Sequence, residues 1–223
     1  MERAYKAALI DHFSGRWLTD RKVERFHEVL NHRTRHLTVV LENIFQPHNA
    51  SAVIRSCDAF GLQDLHVIEL NNRFAPNKDI ALGSQRWIQT THHSNSAGCI
   101  DALKASGYQV VATTPHTTRT LASLPIDKPL ALCFGEEKPG LSQSVLDRAD
   151  HVACLPMYGF AESYNLSVSV ALGLYDLRTR LQASDVSWGL GSHEKLDIFL
   201  HWCRQVIPNV AEIEQRFRSQ WST

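Results

Sequence analysis

The chain has 223 residues, 43% of them apolar and 21% charged, a balance that excludes a disordered tail or a fibrous repeat and makes one compact domain with modest extensions the default. Lysine plus arginine equals aspartate plus glutamate at 23 each, so histone-like bulk binding is excluded and a nucleic-acid partner has to be met by a local basic patch. Five cysteines without a CxxC or other metal-like spacing point to reduced thiols in a cytoplasmic protein, with Cys57, Cys99, Cys133 and Cys154 as core fillers, rather than to a disulfide framework or a zinc site.

The first segment, MERAYKAALIDHF, carries charges throughout and leads into no long apolar run, so it reads neither as a signal peptide nor as a transmembrane span, and no membrane partner is expected. Residues 1–36 hold eight basic residues against five acids. Within them Val23, Phe26, His27 and Leu30 have helical spacing, which predicts a helix over Asp20–His32 with Arg21, Lys22 and Arg25 on a basic outer face. That face is either a track for RNA phosphates or a solvated surface of a packed helix; failing it, RNA contacts would fall to Arg204, Arg216 and Arg218 or to Arg73, Lys78 and Arg86.

Apolar runs then alternate with helical segments. Thr38–Ile44, Leu65–Leu70, Gln109–Thr114, Leu130–Phe134 and His151–Leu155 read as short strands buried on both faces, with helices at Ala50–Phe60, Ile100–Ser106 and Gln143–Ala149 between them. The alternation predicts an α/β fold, a mainly parallel sheet with helices on both faces. A long apolar helix follows at Leu166–Leu181, then a linker (ASDVSWGLGS) and a helical appendage reaching Trp221. The expected organisation is a basic helical N-terminal extension (1–36), an α/β domain (37–181) and a helical C-terminal extension (182–223).

Ligands of such sheets lie beyond the carboxyl ends of the strands, and three segments there carry polar residues. After the first strand comes PHNASAVIRSCDAFG, with Asn49 as a helix N-cap, Gly61 just past the helix end, and Arg55 roughly opposite the apolar face. Arg55 is either a surface arginine or a fork of donors for a phosphate. After the fourth strand comes CFGEEKPGLS, where Gly135 lets a ligand approach the backbone and Pro139-Gly140 turns the chain into a helix capped by Ser142. The third is LPMYGFAESYNLSVSV, whose Glu162, Ser163 and Asn165 exceed what capping one buried helix requires. None matches GxGxxG or GxxxxGK[ST].

In this order the segments resemble the signature motifs of the SpoU (TrmH) family of the SPOUT superfamily, the S-adenosylmethionine-dependent RNA ribose 2′-O-methyltransferases: N-x-x-x-x-x-R in HNASAVIRSCDAFG, the F-G-x-E-x-x-G loop, and P-M-x-G-x-x-x-S-x-N-L-S-V-S. The core resemblance spans roughly Leu37 to Arg180, and RFHEVLNHRTRHLTVVLEN with the helical tail resembles the subgroup acting on guanosine 18 of the tRNA D-loop. The resemblance implies a parallel α/β domain with a C-terminal deep trefoil knot, and a homodimer. By motif position it implies catalytic roles for Asn49, Arg55, Glu137, Ser163 and Asn165, and S-adenosylmethionine contacts from Thr113, Gly135, Leu155 and Tyr164. Tyr164 stands where leucine is usual and Glu162 where glutamine is frequent.

A ribose hydroxyl is a poor nucleophile, so the reaction needs in-line positioning and an acceptor for the proton. The resemblance gives Arg55 the role of base, but free arginine holds its proton far too tightly for it, so either Arg55 is strongly perturbed or it binds the phosphate while another group or the phosphate itself takes the proton; positioning is its secure role, with Asn49 expected to orient it, and no metal is required. The runner-up substrates are rRNA and the tRNA wobble ribose. Two other classes are a non-catalytic RNA-binding descendant, which S-adenosylmethionine binding would distinguish, and a nicotinamide oxidoreductase, which lacks its glycine fingerprint where PHNAS stands. His32–His36 and His92–His93 have ligand-like spacing but no third ligand in sequence, so solvated histidines are the expectation. The tail aromatics Trp188, Trp202, Phe217 and Trp221 read as packing rather than as base-stacking residues.

Overall fold

The structure, a computed structural model, describes residues 2–221, with the side chain of Lys78 outside the described part. In chain order the elements are α1 (Glu2–Arg16), α2 (Asp20–His32), β1 (Leu37–Glu42), α3 (Pro47–Ala59), β2 (Asp64–Ile68), α4 (Lys78–Ala81), β3 (Gln89–His93) and α5 (Ser96–Ala105). They continue with β4 (Gln109–Thr113), β5 (Leu130–Phe134), α6 (Gln143–Arg148), β6 (His151–Ala153), α7 (Leu166–Gln182), α8 (Ser192–Val206) and α9 (Val210–Trp221). The chain forms two compact units, Thr34–Trp188 and the terminal segments Met1–Arg33 with Gly189–Thr223.

The larger unit is an α/β fold around one parallel six-stranded sheet in the order β3-β2-β1-β5-β4-β6. The central pair β1 and β5 (LTVVLE and LALCF) is buried at every position, which is why these strands read as continuous apolar runs rather than as alternating ones. Successive side chains face opposite sides. Leu37, Val39, Leu41, Leu132 and Phe134 pack with Val53, Ile54, Leu174 and Leu177 of α3 and α7. Val40, Ala131 and Cys133 pack with Cys99, Ile100, Leu103 and Val145 of α5 and α6. All five cysteines are free and buried. Because β5 lies between β1 and β4, the sheet changes winding direction there, and the loops after β1 and β5 open side by side, the crevice in which open α/β sheets receive ligands.

Four local expectations are corrected or completed. β3 (QTTHH) has no apolar residue and was not anticipated; it pairs on one side only, with β2, and an edge strand with solvated positions leaves no hydrophobic signature. α1 lies within the expected helical extension, but its bounds were not read from the sequence, since only Leu9, Ile10 and Phe13 of its fifteen residues are buried. Asn49 is not an N-cap: α3 opens at Pro47, one turn earlier than expected, with Gln46 at the cap position. Proline is well placed there, since the first helical N–H groups have no intrahelical partner. The expected linker is fixed to the larger unit as far as Trp188, whose ring lies 3.7 Å from the Arg178 guanidinium and whose carbonyl accepts from Thr34 Oγ1.

The terminal helices form the smaller unit. Lys6 of α1 pairs with Asp197 of α8 at 2.6 Å, and Phe26 of α2 packs edge-on against Phe199 and Trp202. Tyr5, His12, Phe217 and Trp221 form a further ring cluster between α1 and α9. Trp202, Phe217 and Trp221 therefore act in packing, as expected from the tail's composition. Among the described residues no helix is long and apolar enough to cross a membrane.

The Trp188 contact distinguishes an anchored segment from a linker. Trp188→Ala is expected to cost on the order of 2–3 kcal/mol of unfolding free energy in a denaturant titration, through lost packing and the desolvated cation–π contact; a true linker residue would fall within about 0.5 kcal/mol.

Candidate active site

A cavity of about 250 Å³ opens beyond the carboxyl ends of β4, β5 and β6. Its walls include all four residues expected against the cofactor, Thr113, Gly135, Leu155 and Tyr164, together with Glu137 and Ser163. Thr113 Oγ1 donates to the Cys133 carbonyl at 2.7 Å, holding the end of β4 against β5. Tyr164 Oη donates to the Pro156 carbonyl at 3.1 Å, closing the 156–164 loop on itself.

Gly135 is required for a reason other than ligand approach. A Cβ at this position would lie 2.2 Å from the carbonyl carbon and oxygen of Gly140 and 2.4 Å from the Leu141 nitrogen. The loop folds back on itself, with Gly140 N donating to the Glu136 carbonyl at 3.0 Å, and Gly140 completes the turn at φ 70°, a conformation open to glycine at no steric cost. The turn leads into α6, capped by Ser142 as expected.

Asn49, 1% exposed, is the hub of the catalytic candidates. Its Nδ2 donates to Glu137 Oε1 and, at 3.3 Å, to Gln46 Oε1. Its Oδ1 accepts from Asn165 Nδ2 at 3.2 Å. Asn165 in turn caps α7, its Oδ1 accepting from Ser167 N at 2.9 Å and Ser167 Oγ at 2.7 Å. One side-chain chain thus joins the loops after β1, β5 and β6; Asn49 is its buried member while Glu137 and Asn165 stay exposed, so removing a partner leaves the buried Asn49 amide with an unmet hydrogen bond, a cost of about 1–3 kcal/mol. Ser163 stays exposed on the rim of the cavity.

Arg55 is separate from this hub. Six residues on a helix turn the side chain by about 240°, so Asn49 and Arg55 of α3 point apart and Asn49 does not orient the arginine through the hydrogen bonds it makes. The Arg55 side chain is exposed and reaches the Ile80 carbonyl at 3.5 Å, and it is not on the cavity wall. Of the candidate RNA contacts, Arg21 and Arg25 are exposed on α2, Arg25 pairing with Glu28 at 2.7 Å, and the Lys22 ammonium lies 5.8 Å from the Phe26 ring. Among the fallback positions Arg204 is engaged with Glu214 at 2.7 Å.

Two residues next to the hub were missed. Asn43, directly after β1, takes φ 57°, where asparagine is the commonest residue after glycine. Its Oδ1 accepts from the backbone N–H groups of Leu70, Asn71 and Asn72 at 3.2, 2.8 and 2.9 Å, and its Nδ2 donates to Glu136. Glu42, buried at the end of β1, accepts from Ser142 N and Ser142 Oγ, both at 2.7 Å, and from Ser96 Oγ. A carboxylate at the end of a fully buried strand was the available signal, since a buried charge has to find partners.

Gly135→Ala is expected to break the 135–141 turn and to lower unfolding free energy by about 1–3 kcal/mol or more, read in a thermal melt, whereas Gly159→Ala, with open space around its Cβ position, should leave the midpoint unchanged.

The model of the SpoU rRNA Methylase family matches residues 36–175. A tRNA (guanosine(18)-2′-O)-methyltransferase of Borreliella burgdorferi is 44% identical over 206 residues, covering 92% of this chain and 94% of that protein. The crystal structure of the Aquifex aeolicus TrmH/SpoU tRNA modifying enzyme superposes with a TM-score of 0.76 at 30% identity, over 84% of this chain and 98% of that one. An AdoMet-bound rRNA methyltransferase from Sinorhizobium meliloti gives a TM-score of 0.60 at 25% identity, over 68% of this chain and 59% of that one. The match of the family model over most of the α/β unit, on the segments that build the cavity and its hydrogen-bonded hub, establishes that the chain belongs to the SpoU methylase family.

Proposed function

We propose that the protein transfers a methyl group from S-adenosylmethionine to the ribose 2′-hydroxyl of guanosine 18 in tRNA. The observation that carries this reading is the 44% identity, across nearly the whole of both chains, to a methyltransferase named for that nucleotide. The terminal segments outside the family core take part in that similarity, which favours the tRNA assignment over rRNA.

The cavity suits the cofactor. Phe134, Leu155 and Leu166 supply apolar wall and Thr113 and Glu137 polar groups, and Gly140 borders it with open space where a side chain would stand. Thr113, Gly135, Leu155 and Tyr164 would hold the cofactor, which supplies an electrophilic methyl on a sulfonium, so the chemistry calls for no metal ion. Asn49, itself held by Asn165, donates to the Glu137 carboxylate and so positions the loop that borders the reacting groups before substrate enters. Ser163, on the rim, receives the ribose.

The exposed fork of Arg55 is assigned to an RNA phosphate, in the site of a second protomer. The support is twofold: Arg55 lies off its own cavity wall, and Val168, Leu172 and Tyr175 form a helical stripe on α7 left 44%, 41% and 62% exposed, an apolar face suited to an isologous dimer. We further assign the deep trefoil knot implied by the family resemblance to the segment from β5 to α7; in support, the chain runs from β6 at the margin of the sheet to α7, which packs on α3. Buried, free thiols fit a cytoplasmic site of action. The basic outer face of α2 is the proposed RNA track.

The test is methylation of a tRNA transcript with labelled S-adenosylmethionine and mapping of the modified ribose: guanosine 18 supports the assignment, and another ribose or no transfer overturns it. Arg55→Ala is expected to lower turnover at least ~100-fold while cofactor affinity and melting temperature stay at wild-type values. Heterodimers of Arg55→Ala with Asn165→Ala should regain activity, since one composite site would then carry both native residues. Replacing Arg21, Lys22 and Arg25 together by alanine should flatten the log–log salt dependence of tRNA binding by up to about three contacts, roughly 0.7–0.9 each, leaving cofactor affinity unchanged.

A further inference from the structure

The fold brings further ligands to one member of the His92–His93 pair and turns the other away. His93, the last residue of β3, meets His66 of β2 and Cys99 of α5, and the ligand atoms of all three lie within 4.8 Å of one another. His66 Nδ1 and His93 Nε2 are 3.1 Å apart, with the rings stacked at 5.3 Å between centroids. His92 faces away, its Nδ1 3.0 Å from Glu69 Oε2, as alternation along a strand dictates. Cys99 is fully buried and the two imidazoles are partly buried.

We propose that His66, His93 and Cys99 form a binding site for a divalent transition-metal ion of the zinc type, with water or an external ligand in the fourth position. Two imidazole nitrogens and a thiolate are the donor set such a borderline-soft ion selects. Bond lengths of about 2.0–2.1 Å to nitrogen and 2.3 Å to sulfur place tetrahedral ligand atoms about 3.3–3.7 Å apart. The two nitrogens already stand near that separation, and side-chain rotation brings in the sulfur. The three ligands come from two strands and a helix of the packed core, elements that hold a site more firmly than loops do.

The local charge favours the ion. Burial, with His93 beside it, lowers the His66 pKa to about 4, and burial lowers that of His93 as well, which favours the neutral rings that ligate metals; a change of tautomer in one ring frees the nitrogen that donates in the His66–His93 contact. Burial and the Glu42 charge push the Cys99 thiol up to about 12; the carboxylate that disfavours a bare thiolate attracts a cation. Binding forms two metal–nitrogen bonds and one metal–sulfur bond, releases the thiol proton to solvent, and changes no oxidation state. The ion would cross-link β2, β3 and α5 at the sheet edge, away from the cavity, whose walls contain none of the three ligands.

The experiment uses the full-length protein freed of metal by chelation and titrated with cobalt(II). One equivalent should give the near-ultraviolet thiolate-to-cobalt charge-transfer band together with tetrahedral visible absorption, both displaced by zinc. The charge-transfer band should vanish in Cys99→Ser and Cys99→Ala, weaken at least ~10-fold in apparent affinity in His66→Gln and His93→Gln, and persist in His92→Ala and Cys203→Ser. Saturating zinc should raise the thermal midpoint of wild type and not that of Cys99→Ser. Absence of the charge-transfer band, its survival in Cys99→Ser, or visible absorption that needs the histidines alone would overturn the site. Should the Cys99 variants fail to fold by circular dichroism, the two histidine variants decide, and undiminished affinity in both would overturn it.

Discussion

The parallel pairing of β1 with β5 is the constraint from which the site follows. The register sets Leu37 opposite Leu130 and Leu41 opposite Phe134, so the two chains leave the sheet side by side and their following loops have to satisfy each other's polar groups. They do so three times: Glu42 with Ser142, Asn43 with Glu136, Asn49 with Glu137. Asn165 adds the third loop through Asn49. Glu42 and Asn49 are the buried members, and buried polar groups contribute little net stability when paired and cost much when orphaned, so the network fixes one arrangement of the loops more than it strengthens the fold.

That division of labour explains why the catalytic candidates fall into two sorts. Asn49 hydrogen-bonds Glu137 and Asn165, and Asn165 also caps α7, so these three are held by contacts within the chain. Arg55 and Ser163 are exposed and engage little within the chain. Groups of the first sort hold the loops around the cavity, and those of the second are the ones proposed to meet substrate. The exposed stripe on α7 and the outward fork of Arg55 on α3 are the two features on which the proposed dimer rests.

The sheet's other margin shows a different use of polar residues. β3 has no apolar residue to bury, and its His93 turns inward against His66 and above Cys99. Two uncharged imidazoles and a thiol in a half-dry pocket are tolerable without a ligand and well suited to one, whereas three charged groups there would not be.

Composition and periodicity determined the parallel α/β class, the strands β1, β2, β4, β5 and β6 and the long helix α7, because two-face-buried strands are written as apolar runs; polar residues after strands marked the loops, and the family resemblance of their motifs named the residues around the cavity. The tertiary structure alone decided the rest. That Asn49 serves Glu137 and Asn165 rather than Arg55 depends on a helix starting one turn earlier than its asparagine suggested. That Gly135 answers to Gly140 depends on a loop folding back on itself. Asn43 and Glu42 were hidden because their partners lie 27 to 100 residues away, and His93 because its two neighbours come from another strand and a helix. Local patterns record which face of an element is buried; they do not record which distant side chain arrives to meet it, since that is set by sheet order and register, which only packing fixes.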